Sequence, residues 1–287
     1  MVELESLKEK GITPDLTIDP MSPLITPFDR AHNRASVDNL EHGTCGIGFG
    51  SAVRRNEETP YRLYAGDILS PWLFHKKLKK VQEYYSKRMI AGVELLNEIE
   101  MYRDYAFQIK DLISTRNLTD MSRFDNLIFE GAQGILLDRD HGIFPHVTRS
   151  KTDLTNVHKI LRDVHCDSFS VYGVLRSYLT RHGNGPLPFE TSPKTLELKN
   201  LETETNKENR YQGMLRYAPF SMGLLKSTSR RLGVPRWQIT HVIRCMDQLG
   251  EKITASNEDG YLRDMDVDKF KEMILKLNND TWFVYGP

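Results

Sequence analysis

Residues Asn126–Thr152 read NLIFEGAQGILLDRDHGIFPHVTRSKT. Leu127-Ile128-Phe129 is a short apolar run bounded by polar residues, which predicts a buried strand. Glu130-Gly131-Ala132-Gln133-Gly134 follows, with glycines that let the backbone turn sharply and approach a ligand closely. A second apolar triplet, Ile135-Leu136-Leu137, precedes the polar cluster Asp138-Arg139-Asp140-His141, and Phe144-Pro145-His146-Val147-Thr148 closes the stretch. Core anchors thus alternate with hydrogen-bonding side chains. That pattern suits a ligand wall at the carboxyl end of a strand, where open α/β sheets bind their ligands.

Working outward, the chain has 287 residues, 39% of them hydrophobic, enough for a sizeable core. Lys+Arg and Asp+Glu are both 39, and this balance argues against a dedicated nucleic-acid or membrane surface. Cys45, Cys166 and Cys245 are widely separated and form neither a disulfide framework nor a metal pattern, which points to a reducing, cytoplasmic setting. No apolar run is long enough to span a bilayer, and the mean hydropathy is −0.49. The charged start, Val2–Lys10 ended by Gly11, reads as a helix rather than a signal peptide.

Leu16-Thr17-Ile18 reads as a short strand. Gly43-Thr44-Cys45-Gly46-Ile47-Gly48-Phe49-Gly50 places four glycines in eight residues, a loop whose amides suit a phosphate. Residues 72–110 are helical in composition, with Leu95, Ile99, Tyr102, Ala106 and Ile109 recurring three and four apart, and predict one or two long helices. Ser168–Leu179 is apolar and β-branched and predicts a buried strand. A polar loop follows it, Thr180-Arg181-His182-Gly183-Asn184-Gly185-Pro186-Leu187-Pro188-Phe189-Glu190. Leu224–Leu232 reads as a basic helix and Gln238–Ile243 as a strand.

FEGAQG, then LLD-x-D-H-G, then P-x-V-T, in this order and spacing, resembles the signature of the adenylosuccinate synthetase family. The loop from Thr180 to Glu190 resembles the same family's T-R-V-G-x-G-P-F-P-T-E. The resemblance implies an α/β fold with a mainly parallel central sheet, helices on both faces and antiparallel extensions, like the P-loop NTPases. The chain is expected to form a single domain, 1–287, lacking the family's first segment. That segment carries the phosphate loop G-D-E-G-K-G with the catalytic Asp, Lys and His, so no catalytic residue is expected in this chain. By position the resemblance gives Gln133, Thr148 and His182 (through its backbone) to IMP. It gives Thr44 to the IMP phosphate, with the register between Thr44 and Cys45 open. One of Arg54, Arg55 or Arg62 would reach the neighbouring subunit's phosphate in a homodimer.

Asn209–Arg216 resembles the aspartate-binding loop G-T-x-T-G-R-x-R and gives Arg210, Gln212, Gly213 and Arg216 to aspartate, with Arg216 also on the nucleoside triphosphate. Met214 stands where the family has a gripping arginine, and Met cannot pair with a carboxylate, so either Arg210 or Arg216, with Arg216 favoured, takes over that role or the substrate set differs. The base-reading segment falls on His241, Val242 and Ile243, and the closing loop on Val284, Tyr285 and Gly286. Ile243 replaces an Asp that accepts from guanine, which it cannot do. Asp29 stands where the family has a basic residue or His.

The implied reaction is a ligation in AMP biosynthesis. The γ-phosphate of GTP moves to O6 of IMP, and L-aspartate then displaces it, with Mg2+ held by ligands outside this chain. The alternatives are a phage-type relative acting on another purine monophosphate with ATP, and a catalytically incomplete nucleotide-binding homologue.

Overall fold

The computed structural model describes residues 2–36, 41–87, 94–114, 121 and 124–286. The chain divides into two compact units, Met1–Asp120 and Met121–Pro287.

The first unit is helical. The opening helix α1, Val2–Glu9, ends with Gly11 in the left-handed region, its N–H bonded to the Lys8 carbonyl. Helix α2, Pro27–Ala35, starts at a capping box: the Thr26 hydroxyl accepts from Asp29 N, and the Asp29 carboxylate accepts from Thr26 N. Helix α3, Phe49–Glu58, follows the glycine loop. Its N-cap Gly48 has φ 95°, and a Cβ there would lie 2.6 Å from Arg30 N, so only glycine allows α2 and α3 to come this close.

Helices α4, Pro71–Ser86, and α5, Glu94–Gln108, complete the unit. Leu95, Ile99, Tyr102, Ala106 and Ile109 all join its core, with Phe74, Leu78, Val81 and Tyr85 of α4, as the helical spacing predicts. Leu16–Ile18 is not a strand. Its only pairing among the described residues is one bridge, Ile18 with Ile113.

Beneath α2 and α3 lies an ion pair with no solvent contact. Arg55 and Asp29 are both 0% exposed. Arg55 Nε and Nη2 donate to the two Asp29 oxygens at 2.9 and 3.0 Å. Its remaining N–H groups donate to Leu24 O, Tyr61 O and Asn56 Oδ1. Tyr85 donates to Asp29 as well, at 2.8 Å. The departure at Asp29 is therefore matched by a partner arginine and a full set of hydrogen bonds.

The second unit is mixed α/β. Its central sheet is parallel, with strand order β1 (Val171–Arg176), β5 (Ile239–Arg244), β8 (Thr281–Phe283), and helices flank it. Strands β2 (Leu179–Arg181) and β3 (Arg216–Ala218) form an antiparallel pair. Strands β4 (Phe220–Ser221), β6 (Ile253–Ser256) and β7 (Leu262–Met265) form a third, mixed sheet. Helices α6 (Thr155–Asp163), α7 (Met222–Arg231) and α8 (Val267–Leu277) complete the unit. Its core joins Ile243 of β5 to Phe220, Leu225, Phe270 and Ile274. Gly173 of β1 leaves room for the buried His241 ring, which a Cβ there would meet at 3.2 Å.

Two further strand expectations are corrected. Leu127–Phe129 has no regular structure, and Ile128 is 93% exposed. The run finds no ladder partner among the described residues, and apolar side chains alone do not satisfy backbone groups. Ser168–Leu179 is not one buried strand. It holds β1, whose Tyr172 and Val174 are exposed, and ends where β2 begins. Among the described residues, no helix is long and apolar enough to cross a membrane.

Removing one member of a buried ion pair strands the other charge, at a cost of about 3–5 kcal/mol. Asp29→Ala is expected to lower unfolding free energy by that amount in urea titration, and Arg54→Ala, at the surface, by under about 0.5 kcal/mol. Equal effects from the two variants would show that the Asp29 network does not hold the first unit together.

Candidate nucleotide site

The stretch 133–152 folds around one carboxylate. Asp138 is 0% exposed. Its Oδ1 accepts from Asp140 N at 2.8 Å and His141 N at 3.1 Å, and its Oδ2 accepts from the backbone N–H and the hydroxyl of Thr152. Burial alone would raise the carboxyl pKa, but the N–H donors of Thr152, Asp140 and His141 hold it below the usual carboxylate range. Backbone bonds complete the knot: Thr148 N to Leu137 O at 2.7 Å and Arg139 N to Ser150 O at 3.2 Å. The Thr152 hydroxyl reaches Gly134 O at 2.9 Å. Gly142 turns so tightly that a Cβ would lie 2.6 Å from Asp138 O.

The glycine turn and the threonine-bearing segment are thereby brought together. Gln133 sits in the left-handed region, φ 65°, with its side chain exposed. Thr148 is partly buried, its hydroxyl 3.3 Å from that of Ser150.

The loop 182–190 joins this cluster through Arg181, and Arg216 braces the loop from β3. Arg181 of β2 and Arg216 of β3 are paired in register. Arg181 Nη2 donates to His146 O at 3.1 Å and Asn184 O at 3.4 Å. Arg216 Nη1 donates to Gly183 O and Gly185 O, both at 2.9 Å, and its Nε and Nη2 bind the Glu190 carboxylate. His182 is partly buried, and burial lowers its pKa, opposed by the charge of Glu204.

In the loop 209–213, Asn209 and Gly213 bond to each other's backbone, and Asn209 Oδ1 accepts from Tyr211 N and Gln212 N. Gln212 Oε1 accepts from Asn209 Nδ2. Gly213 supplies a left-handed residue, φ 75°. Arg210 is exposed over the Tyr211 ring, and Met214 is 67% exposed. With Arg216 engaged by Glu190, the exposed cation of this loop is Arg210.

At β5 the expected residues diverge. The His241 side chain is 1% exposed, between Ser229 Oγ and Asn278 Nδ2, each at 3.3 Å. Ile243 is 0% exposed in the core, and Val242 lies on the opposite face of the strand, partly exposed. The tail meets the carboxyl end of this strand: Val284 N donates to Ile243 O, Cys245 N to Gly286 O and Gly286 N to Asp247 Oδ1. Tyr285 is 61% exposed and accepts from Lys271.

Thr44 belongs to the first unit. Its hydroxyl donates to Asn33 Oδ1 at 3.0 Å, in a loop with Gly43, Gly46 and Gly48 all in the left-handed region before α3. Of the three arginines that follow, Arg55 is removed from consideration as a phosphate ligand, because all of its N–H groups are used inside the core. Arg62 is exposed, and Arg54 lies 4.0 Å from Glu58 at the surface. Among the described residues, no group of three His, Cys, Asp or Glu side chains is placed to hold a metal ion.

The sequence reading missed Asp138, Glu190 and Glu204 as organisers. Glu204 is buried against Arg176; burial would raise its pKa, but Arg176 and the Asn206 amide pull it down to about 2. Asp138 did carry a signal: an Asp whose side chain accepts backbone N–H groups two and three residues on is an Asx turn, common before glycine.

A family model described as adenylosuccinate synthetase matches residues 1–243. The adenylosuccinate synthetase of Shewanella amazonensis is 34% identical over 207 residues, covering 66% of this chain and 47% of the relative. That of Shewanella loihica is 36% identical over 207 residues, with the same two shares, 66% and 47%. The chain spans about half the length of the curated relatives it matches. A structure of fully ligated adenylosuccinate synthetase from Plasmodium falciparum matches with TM-score 0.75 at 16% identity, over 99% of this chain and 80% of that one. The succinoaminodeoxyadenylate synthetase of cyanophage S-2L, solved bound to dGMP and dATP as an energy donor, matches with TM-score 0.54 at 19% identity, over 84% of this chain and 61% of that one. These two structures bear on the fold alone.

Asp138→Asn is expected to cost about 2–4 kcal/mol, since backbone donors lose a charged acceptor. A carboxyl with a depressed folded pKa stabilises above its unfolded value, about 4, and loses that contribution as pH falls through the folded value. The stability gap between wild type and variant should therefore be constant above about pH 4 and close in more acidic solution. A gap that persists unchanged into strong acid would contradict the charged role of Asp138.

Proposed function

The chain belongs to the adenylosuccinate synthetase family, ligases of purine nucleotide biosynthesis, and from that premise we propose that it binds IMP through Gln133 and Thr148 in a ligation of aspartate to the purine. The observation that carries this reading is the Asp138 knot, which holds the exposed Gln133 turn beside the threonine-bearing segment. A Gln amide donates and accepts toward a purine edge, and Thr hydroxyls donate to phosphate oxygens. In the full reaction GTP phosphorylates O6 of IMP, giving 6-phosphoryl-IMP, and the aspartate amine displaces the phosphate. This chain's part is binding and orientation: the purine at Gln133, the ribose along the backbone at His182, and the aspartate carboxylates at the loop 209–216 through Arg210. The working assembly is a homodimer, with exposed Arg54 or Arg62 as the residue that crosses to the neighbour's phosphate. The setting is the cytoplasm, and the reaction uses Mg2+.

A second reading, a phage-type relative with ATP as phosphoryl donor, has its own support. Guanine recognition needs an acceptor for its N1 and N2 hydrogens, and the residue that falls on that position is Ile243, buried in the core. The cyanophage enzyme was solved with dGMP and dATP.

Calorimetric titration with IMP, dGMP, GTP and ATP separates these readings. Micromolar IMP binding, weakened about tenfold or more by Gln133→Ala, is the expected result, since a lost hydrogen bond to a ligand costs about 1.4 kcal/mol or more. A preference for dGMP would favour the phage-type reading. Binding of none of the four would overturn nucleotide recognition by this chain.

A further inference from the structure

The charges around the β2–β3 pair do not balance. Arg181 and Arg216 are register partners on adjacent strands, so their side chains leave the same face. The Arg216 charge in turn depresses the Arg181 pKa, after burial. Like charges directly opposite each other on a sheet are destabilising unless something neutralises them. Arg216 has its carboxylate, Glu190. The other carboxylate felt in this neighbourhood, Glu204, is taken by Arg176. Among the described residues, Arg181 has no carboxylate at all.

Arg181 is nevertheless no loose surface arginine. Its Nη2 is fixed by two backbone carbonyls, those of His146 and Asn184. Its Nε is buried with no hydrogen-bond acceptor. Fixed cationic donors that lack acceptors carry a desolvation cost, and each such group in a folded protein calls for an explanation. A bound anion supplies both the missing charge and the missing acceptors.

The geometry points to an anion subsite at Arg181, beside the Gly183–Gly185 turn, for a phosphate or carboxylate group. Guanidinium geometry suits both, since each offers paired oxygens in a plane. The subsite stands on charge and hydrogen bonding alone, and so stands or falls apart from the nucleotide reading.

The test is titration of the whole chain with inorganic phosphate and, separately, with succinate, at constant ionic strength, followed by calorimetry and by the shift in Tm. At least one anion is expected to bind the wild type. Arg181→Gln should weaken it about tenfold or more, and Arg181→Lys, which keeps the charge, by a smaller factor. Glu190→Gln removes the neutralising carboxylate and should tighten binding, a change of opposite sign that misfolding cannot mimic. Stronger binding of phosphate assigns the subsite to a phosphate-bearing ligand, and stronger binding of succinate to a dicarboxylate. Failure of both anions to bind the wild type, equal binding by Arg181→Gln, or no tightening in Glu190→Gln would each overturn the subsite. Phosphate binding that depends on Arg181, in a chain that ignores IMP, would uphold the subsite and sink the nucleotide reading.

Discussion

One buried carboxylate organises the candidate site. Asp138 faces no solvent, and the oxygens it keeps inside are occupied by the N–H groups of Asp140, His141 and Thr152. A buried charge is tolerated only when hydrogen bonds replace its water. Satisfying it therefore fixes three separate points of the loop at once. The fixed points include both ends of the stretch, because Thr152 also bonds to Gly134 O. Asp138 thus reinforces the backbone bonds that hold the Gln133 turn to the segment bearing Thr148. Arg181 extends the same logic to the next loop by gripping His146 O and Asn184 O.

The first unit solves a similar problem with a pair of opposite charges. The Asp29 carboxylate has no exposure, which would be prohibitive alone. Arg55 answers it, and Thr26 and Tyr85 complete the set of donors. The same arrangement withdraws Arg55 from ligand binding. Structure and function thus compete for one arginine, and saturation of its five donors decides the outcome.

Much of this was legible in the residues. The apolar spacing of residues 95–109 gave the core face of α5, and the β-branched run at 238–243 gave β5, the middle strand of the parallel sheet. FEGAQG and LLDRDHG marked the loop that folds around Asp138. Leu127–Phe129 was misread because a strand is made by its partner, and periodicity does not reveal whether a partner exists. The side-chain roles of His241 and Ile243 were also beyond the pattern. Alternation along a strand shows which residues share a face, but not which face is buried. Here His241 and Ile243 turn inward and Val242 outward. Long-range pairs such as Asp29 with Arg55 and Glu204 with Arg176 leave no local signature, because their partners lie 26 and 28 residues apart.

Hydrogen exchange of backbone amides with and without IMP bears most directly on the Asp138-centred site. Slower exchange on adding IMP, concentrated in residues 131–152 and in the turn 183–185, is the expected result. Unchanged exchange in both segments at saturating IMP, or protection confined to other parts of the chain, would contradict the placement of the nucleotide at this loop.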